Sequence, residues 1–278
     1  MDTFVDSSWY FYRFVDPRNA TGPFDPAKLK YWLPVDFYIG GIEHAILHLI
    51  YSRFFARVFR DLGLVDDSEP FTQLLTQGMV LKDGAVMSKS RGNVVDPDAM
   101  MLKYGADALR LYVMFVAPPE KEIEWSDAGI DGSYRFLSRV WRLVDHWNET
   151  IAGEGIDSPD GCETLNAAER ALRRKTHDTI RRVTSDIEQR QQLNTAVSAM
   201  MELVNAMYAF SEQTLTGAPG RHADEDVEHV GEVERRETIC VVREASGALV
   251  RMLAPFAPHT AEEMWEMLGQ QKGLAAAA

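Results

Sequence analysis

Residues 84–97 read GAVMSKSRGNVVDP. Ser88 and Ser90 place hydroxyls on either side of the Lys89 ammonium, Arg91 adds a second cation, and Gly92 frees the backbone after them. Small hydroxylated residues around a lysine suit a polyanion, and the same residue types also make an ordinary solvated turn. A second group is Gly40-Gly41 with Glu43 two residues on. Paired glycines let a nucleotide lie against the backbone, and the carboxylate accepts hydrogen bonds from ribose hydroxyls. A strand-end turn followed by a helix-capping carboxylate fits those residues equally well. His44 and His48 stand four apart and so share one helix face. With no HExxH glutamate and no third ligand nearby, no metal site is expected there. Finally, Arg170, Arg173, Arg174, Lys175, Arg181 and Arg182 crowd one predicted helix, and Arg135, Arg139 and Arg142 the helix before it. They form either a phosphate-binding surface or a solvated helix face.

The elements that must position these residues change character along the chain. PVDFYIGG (34–41) has the apolar and aromatic content of a short buried strand ending in a glycine turn. A helix follows from about Glu43, with Ile46, Leu47, Ile50, Phe54, Val58 and Leu62 at three- and four-residue steps, and Gly63 stops it. A second strand spans 73–81. This β-α-β order predicts a doubly wound parallel sheet, whose ligands sit at the carboxyl ends of the strands. From Asp96 onward strands are expected to stop. Helices are predicted over 98–104, after an Asp96-Pro97 start, and over 104–115, 131–150, 165–190, 194–215, 236–253 and 260–268, the last opened by a Thr260/Glu263 capping box. The acidic stretch 223–237 reads as a solvated connector. The expected fold class is therefore α/β followed by all-α, part of a Rossmann-like parallel sheet core plus a helical bundle. The expected domains are 1–128 and 129–278.

Composition narrows the function. With 46% hydrophobic and 26% charged residues in 278, the chain is of ordinary globular type. A net charge of -13 excludes broad, nonspecific nucleic-acid binding, so any RNA contact is local. No run of 18 apolar residues and no leader-like N-terminus is present, which makes a cytoplasmic, non-membrane protein the expectation. Cys162 and Cys240 lack CxxC or Cys/His spacing, which argues against zinc, and both are expected to be free thiols.

These motifs carry a family resemblance. MSKS at Met87–Ser90, followed by RGN, resembles the KMSKS signature of class I aminoacyl-tRNA synthetases, with Val86 where the first lysine usually stands. FYIGGIEHAILHLIYSRF (37–54) is similar to the ribose- and amino-acid-binding segment of the leucyl branch, and DTFVDSSWYF (2–11) to the segment that re-enters its core after the editing domain. YGADALRLYVMF (104–115) and SYRFLSRVWRL (133–143) fit the same branch. GGIEHAILH argues against the isoleucyl, valyl and methionyl branches. A non-catalytic RNA-binding or assembly module of the same descent is the other reading, and Lys89 with its serines argues against it.

The resemblance implies an ATP-dependent ligase that activates leucine and transfers it to tRNA(Leu). Such activation expels pyrophosphate, so charge builds on phosphoryl oxygens and must be met by fixed positive charge. In that scheme Lys89, Ser88 and Ser90 are catalytic. Gly40, Gly41, Glu43, Val80, Met87 and Lys89 bind ATP, which brings Mg2+. Phe4, Ser7, Tyr10, Tyr38, His44 and His48 line the amino-acid pocket, and Arg139, Arg142, Arg173, Arg174 and Arg181 face tRNA from an anticodon-binding-type bundle. The family's first half-sheet with its HIGH-type motif, and its editing domain, are absent from the sequence. The chain is thus expected to act as a monomer with the missing N-terminal half in cis or trans, and not to activate leucine by itself.

Overall fold

The computed structural model describes residues 4–151, 164–215, 227–271, 273 and 274. The chain divides into two compact units, residues 1–86 with 119–124, and residues 87–118 with 125–278.

The first unit opens with three short helices, α1 (Phe4–Ser7), α2 (Tyr10–Val15) and α3 (Pro26–Trp32). Asp25 caps α3 by accepting from Ala27 N at 2.8 Å, with Pro26 in the first turn where its missing N–H costs nothing. Strand β1 (Val35–Gly41) follows, then helix α4 (His48–Asp61) and strand β2 (Phe71–Gln77). β1 and β2 pair in parallel, with Val35 opposite Phe71 and Gly40 opposite Thr76, as the β-α-β reading requires. The helix expected from Glu43 begins later, because the chain leaves β1 through a 3-10 turn, Ile42–His44. His44 and His48 therefore do not stack on one helix face, and their rings meet edge to face at 6.3 Å.

The strand expected over 73–81 is broken at Gly78. Beyond it lie β3 (Val80–Lys82) and β4 (Ala85–Val86), an antiparallel pair, and β5 (Ile123–Glu124) runs parallel to β3. Strands thus do not stop at Asp96, since a two-residue strand carries no periodicity to read. The break has a steric cause. Gly78 donates to Pro119 O at 2.9 Å, and a Cβ there would run into the Lys121 backbone. The core of this unit is small and aromatic. Phe11, Tyr12, Phe24, Leu29 and Ala56 are buried, with Phe59 and Phe71 packed on them.

The second unit begins at Met87. Helices α5 (Pro97–Tyr104) and α6 (Ala106–Val116) follow the MSKS segment. Asp96 caps α5 as expected, accepting from Asp98 N at 3.0 Å, and the two helices are separated at Gly105, whose φ of 84° lies in a region that favours glycine. The bundle comprises α7 (Asp127–Ile151), α8 (Ala167–Ser185), α9 (Leu193–Leu215), α10 (Val227–Leu253) and α11 (Pro258–Met267). A capping box of Asn166 and Glu169 opens α8, and a π-turn, Asp186–Arg190, closes it. Ala108 and Leu111 of α6 join Val140, Leu143, Met200, Leu203, Leu249 and Phe256 in one continuous core.

Three expectations are corrected here. Helix α10 begins within the stretch read as a connector, of which 223–226 lie outside the described residues. Helix α11 starts at Pro258 with no side-chain cap, so Thr260 and Glu263 form no capping box, and the Thr260 side chain is turned to a partner on α6. Cys240 is disulfide-bonded rather than a free thiol, and Cys162 lies outside the described residues. Single cysteines outside a CxxC or Cys/His spacing carry no signature from which a disulfide could be read.

Candidate functional site

In the first unit, the carboxyl end of β1 and the start of α4 enclose a cavity of about 320 Å³. Phe4, Ser7, Tyr38, Gly40, Gly41, His44 and His48 line it, with Leu49 and Leu74 completing the apolar wall. All the residues assigned to the amino-acid pocket line this cavity except Tyr10, which stands behind it with its hydroxyl 2.9 Å from that of Tyr38. The Tyr38 hydroxyl lies 2.6 Å from His48 Nε2, and its ring stacks on Phe71 with centroids 3.9 Å apart. Burial, and then the Tyr10 hydroxyl, push the Tyr38 phenol above its ordinary range. Burial, followed by the nearby His44, pulls the His48 imidazole below its usual value. At neutral pH the polar end of the cavity therefore holds two uncharged, hydrogen-bonded rings.

Glu43 is exposed, and its carboxylate folds back over Gly41, where any Cβ would collide with it. Gly41 thus serves a close approach by a neighbouring side chain. Val80 stands outside this cavity, in β3, paired with Ile123.

In the second unit, Met87 leads into the loop. Ser88 is extended, Lys89–Arg91 form a single 3-10 turn, and Gly92 ends it with φ 68°. The loop is held from within, since Ser88 N donates to Asn93 Oδ1 at 2.9 Å and the Ser88 and Ser90 hydroxyls lie 3.2 Å apart. Lys89 is exposed and makes no ion pair among the described residues. The turn therefore presents an ammonium with two hydroxyls and backbone N–H groups around it, an arrangement able to meet phosphoryl oxygens.

The arginines divide. On α8, Arg173 pairs with Glu244 at 2.9 Å, Lys175 with Glu202 at 2.6 Å, Arg181 with Asp178 at 2.8 Å and Arg182 with Glu202 at 3.5 Å. On α7, Arg135 pairs with Asp131 at 3.0 Å, and Arg139 donates to Asn205 Oδ1 and lies over the Tyr208 ring. Arg142 and Arg174 make no ion pair among the described residues. Half-burial and these partners leave the α8 face far less cationic than its sequence suggests.

One cluster was not singled out in the sequence. The buried Asp107 of α6 accepts from Thr260 N at 2.6 Å, Thr260 Oγ1 at 2.7 Å and His259 Nδ1 at 2.9 Å, and so caps the first turn of α11 from another helix. Burial alone would raise the Asp107 carboxyl, but the hydrogen bonds from His259 and Thr260 outweigh it and hold the group below the ordinary aspartate value. The sequence reads Thr260 as a cap of its own helix, and nothing local to it points to Asp107 as the partner. Among the described residues no cluster of three His, Cys, Asp or Glu side chains is placed to hold a metal.

A parallel β-α-β segment with a glycine-ended strand, a lysine-serine turn and a following helical bundle defines a class of protein. Residues 1–126 match the family described as tRNA synthetases class I (I, L, M and V), and residues 169–278 the anticodon-binding domain of tRNA ligase. The chain belongs to the class I aminoacyl-tRNA synthetases. Within that class it is homologous to leucine–tRNA ligases. It is 53% identical over 277 residues to that of Geobacter sp. (strain M21), covering 100% of this chain and 31% of the relative. It is 51% identical over 278 residues to that of Geotalea daltonii (strain DSM 22248 / JCM 15807 / FRC-32), with coverages of 100% and 31%. Among solved structures, the ternary complex of Agrobacterium radiobacter K84 agnB2 LeuRS-tRNA-LeuAMS superposes with a TM-score of 0.82 at 39% identity, covering 99% of this chain and 33% of that one. A Mycobacterium tuberculosis methionyl-tRNA synthetase in complex with methionyl-adenylate shares the fold, with a TM-score of 0.74 at 18% identity over 99% of this chain and 52% of the other. The chain thus spans 31% of the length of the curated relatives it matches.

Proposed function

We propose that this chain supplies the second half of the catalytic core, residues 1–128, and the tRNA-facing helical bundle, residues 129–278, of a leucine–tRNA ligase. The observation that carries this reading is the single cavity that gathers Phe4, Ser7, Tyr38, His44 and His48 beside Gly40-Gly41. Its apolar wall and uncharged polar end suit an aliphatic side chain, and the open backbone at Gly40 suits a nucleotide. The relatives at about half identity name leucine and tRNA.

In this scheme a leucine carboxylate oxygen attacks the α-phosphorus of ATP. The α–β phosphoanhydride bond breaks and pyrophosphate leaves, giving a leucyl-adenylate mixed anhydride, and a terminal ribose hydroxyl of the tRNA then attacks its carbonyl carbon, so that an ester forms, the acyl–phosphate bond breaks and AMP leaves. Lys89 offsets the charge that builds on the phosphoryl oxygens, and Ser88 and Ser90 donate to them. Gly40, Gly41, Glu43, Val80 and Met87 are the residues we assign to ATP binding. Mg2+ arrives with ATP as its counter-ion. No described helix is long and apolar enough to cross a membrane. We place the protein in the cytoplasm as a monomer. The Cys240 disulfide is the observation that runs against a reducing compartment.

The test is leucine-dependent exchange of pyrophosphate into ATP, with the remaining part of the ligase supplied in cis or in trans. The chain alone is expected to be inactive, because positioning fails when half the site is missing. In the completed enzyme Lys89→Ala should lower the rate about a hundredfold, and Arg91→Ala much less. Equal losses would make the loop a general basic patch, and exchange by the isolated chain above a Lys89→Ala control would contradict the division of the site.

A further inference from the structure

The second unit carries a cavity of about 540 Å³ that the activation chemistry does not use. Its floor is the α5–α6 junction, with Tyr104, Gly105 and Asp107. One wall is the α7 face bearing Tyr134, Leu137, Ser138, Trp141 and Arg142, and the other is the start of α11 with His259 and Thr260. Two large aromatic rings at its rim stay in solvent, Tyr134 at 46% and Trp141 at 38% exposed. Tyr104 lies 6.0 Å from Tyr134, and the Lys103 ammonium sits over the Tyr104 ring at 4.7 Å.

We propose that this cavity takes one unstacked nucleotide of the tRNA, its base against Trp141 and Tyr134 and its phosphate at Arg142. The proposal rests on the reading that this chain meets tRNA, and it locates that contact away from the predicted α8 face. Charge decides between the two surfaces. On α8, a phosphate at Arg173, Lys175, Arg181 or Arg182 would have to displace a carboxylate, and of the three arginines assigned to tRNA there only Arg174 makes no ion pair among the described residues. In the cavity, Arg142 has no ion pair among the described residues and keeps its planar fork for an incoming phosphate. The one carboxylate in the lining, Asp107, has both oxygens engaged by Thr260 and His259. His259 spends Nδ1 on Asp107, so the carboxylate is engaged on both sides and does not face an incoming phosphate unpartnered.

The occupant follows from the same chemistry. A purely electrostatic contact needs no aromatic rim, and a paired RNA helix keeps its bases stacked inside. Exposed Trp and Tyr rings beside an arginine match an unstacked base, whose π-face any aromatic can receive. The net charge of -13 requires that an RNA contact be local, and a concave site with its own cations is local. Because Asp107 ties α6 to α11, the floor and far wall of the cavity are fixed to one another before any ligand arrives.

The experiment uses the 278-residue chain, a fluorescently labelled in vitro transcript of tRNA(Leu), and a fully paired RNA duplex of similar length as the control, read by anisotropy across a salt series. Trp141→Ala should weaken transcript binding about tenfold with an unchanged salt slope, and Trp141→Phe should restore most of it. Arg142→Ala should reduce the log-log salt slope by about one. Duplex binding should be indifferent to Trp141→Ala, and reversal of Arg173 and Arg181 should leave the transcript slope unchanged. Should Trp141→Ala alter the helical circular dichroism, Tyr134→Ala at the exposed rim carries the same expectation. Wild-type affinity in both aromatic variants would overturn the proposal, as would equal losses for transcript and duplex. In either case the tRNA reading survives, whereas a wild-type chain that fails to bind the transcript would overturn both.

Discussion

In the helical unit Met200, Leu203, Leu249 and Phe256 are fully buried, whereas in the sheet-bearing unit Ile39, Ile42, Ile46, Leu47, Ile50, Phe54 and Leu74 stand exposed. The same kinds of side chain thus meet opposite environments in one chain. Isolated exposed apolar residues are ordinary, but so many on one short strand pair, one helix and the turn that joins β1 to it form a surface that further protein normally covers. The bundle buries one continuous apolar core of its own, although Leu102, Val113, Tyr134 and Trp141 of the same unit stay exposed. The sheet unit has two paired long strands and a small aromatic core, and what it lacks is consistent with a chain spanning 31% of its relatives.

The largest break in that comparison should come from the cores. Leu203→Ala, at a fully buried site, should cost about 2–5 kcal/mol in urea unfolding followed by circular dichroism. Ile50→Ala on the exposed α4 face should stay within about 0.5 kcal/mol. Equal costs would mean that α4 is covered in solution and that the two units do not differ as described.

A smaller effect is expected at Asp107, which joins α6 to α11 inside the second unit. Asp107→Asn should cost about 1–3 kcal/mol at neutral pH, the range for breaking a buried, hydrogen-bonded contact. The pH dependence has a definite sign. The folded carboxyl titrates below its ordinary 3.8, so its stabilisation is fully present above that value and is lost as pH falls through the lower folded value. The gap between wild type and Asp107→Asn, measured by thermal melts from pH 7 downward, should therefore hold steady to about the ordinary aspartate range and close below it. A gap that widened in acid would contradict the assignment.

The smallest effect belongs to the α8 surface. Arg181→Ala removes an exposed pair with Asp178 and should change stability by no more than about 0.5 kcal/mol in the same melts. A loss above about 1 kcal/mol would show that the α8 ion pairs are structural parts of the bundle rather than a solvated face.

What the sequence made legible follows a physical line. The β1–α4–β2 order, the Asp96-Pro97 cap and the long bundle helices rest on local signals, and the structure has them. The serine-lysine turn is local as well, and Gly92 closes it with a positive φ. What escaped depends on distant partners. Thr260 looked like a cap for its own helix until Asp107 of α6 was seen to take both its N–H and its hydroxyl. Gly78 looked like strand interior until Lys121 came to lie against it. The α8 arginines looked like one cationic face until Glu202 and Glu244, from α9 and α10, were seen to neutralise much of it. Among the candidate site residues, Tyr38 and His48 are joined across ten positions by a hydrogen bond that no spacing rule predicts.

The claim that the bundle buries a core of its own while the sheet unit leaves an apolar surface open is tested most directly by hydrogen exchange of the 278-residue chain, read by mass spectrometry without and then with the remaining part of the ligase. Amides in α9 should exchange slowly in both cases, while those of β1 and α4 should exchange rapidly in the chain alone and become protected once the rest of the ligase is added. Protection of β1 and α4 equal to that of α9 in the isolated chain would contradict the account.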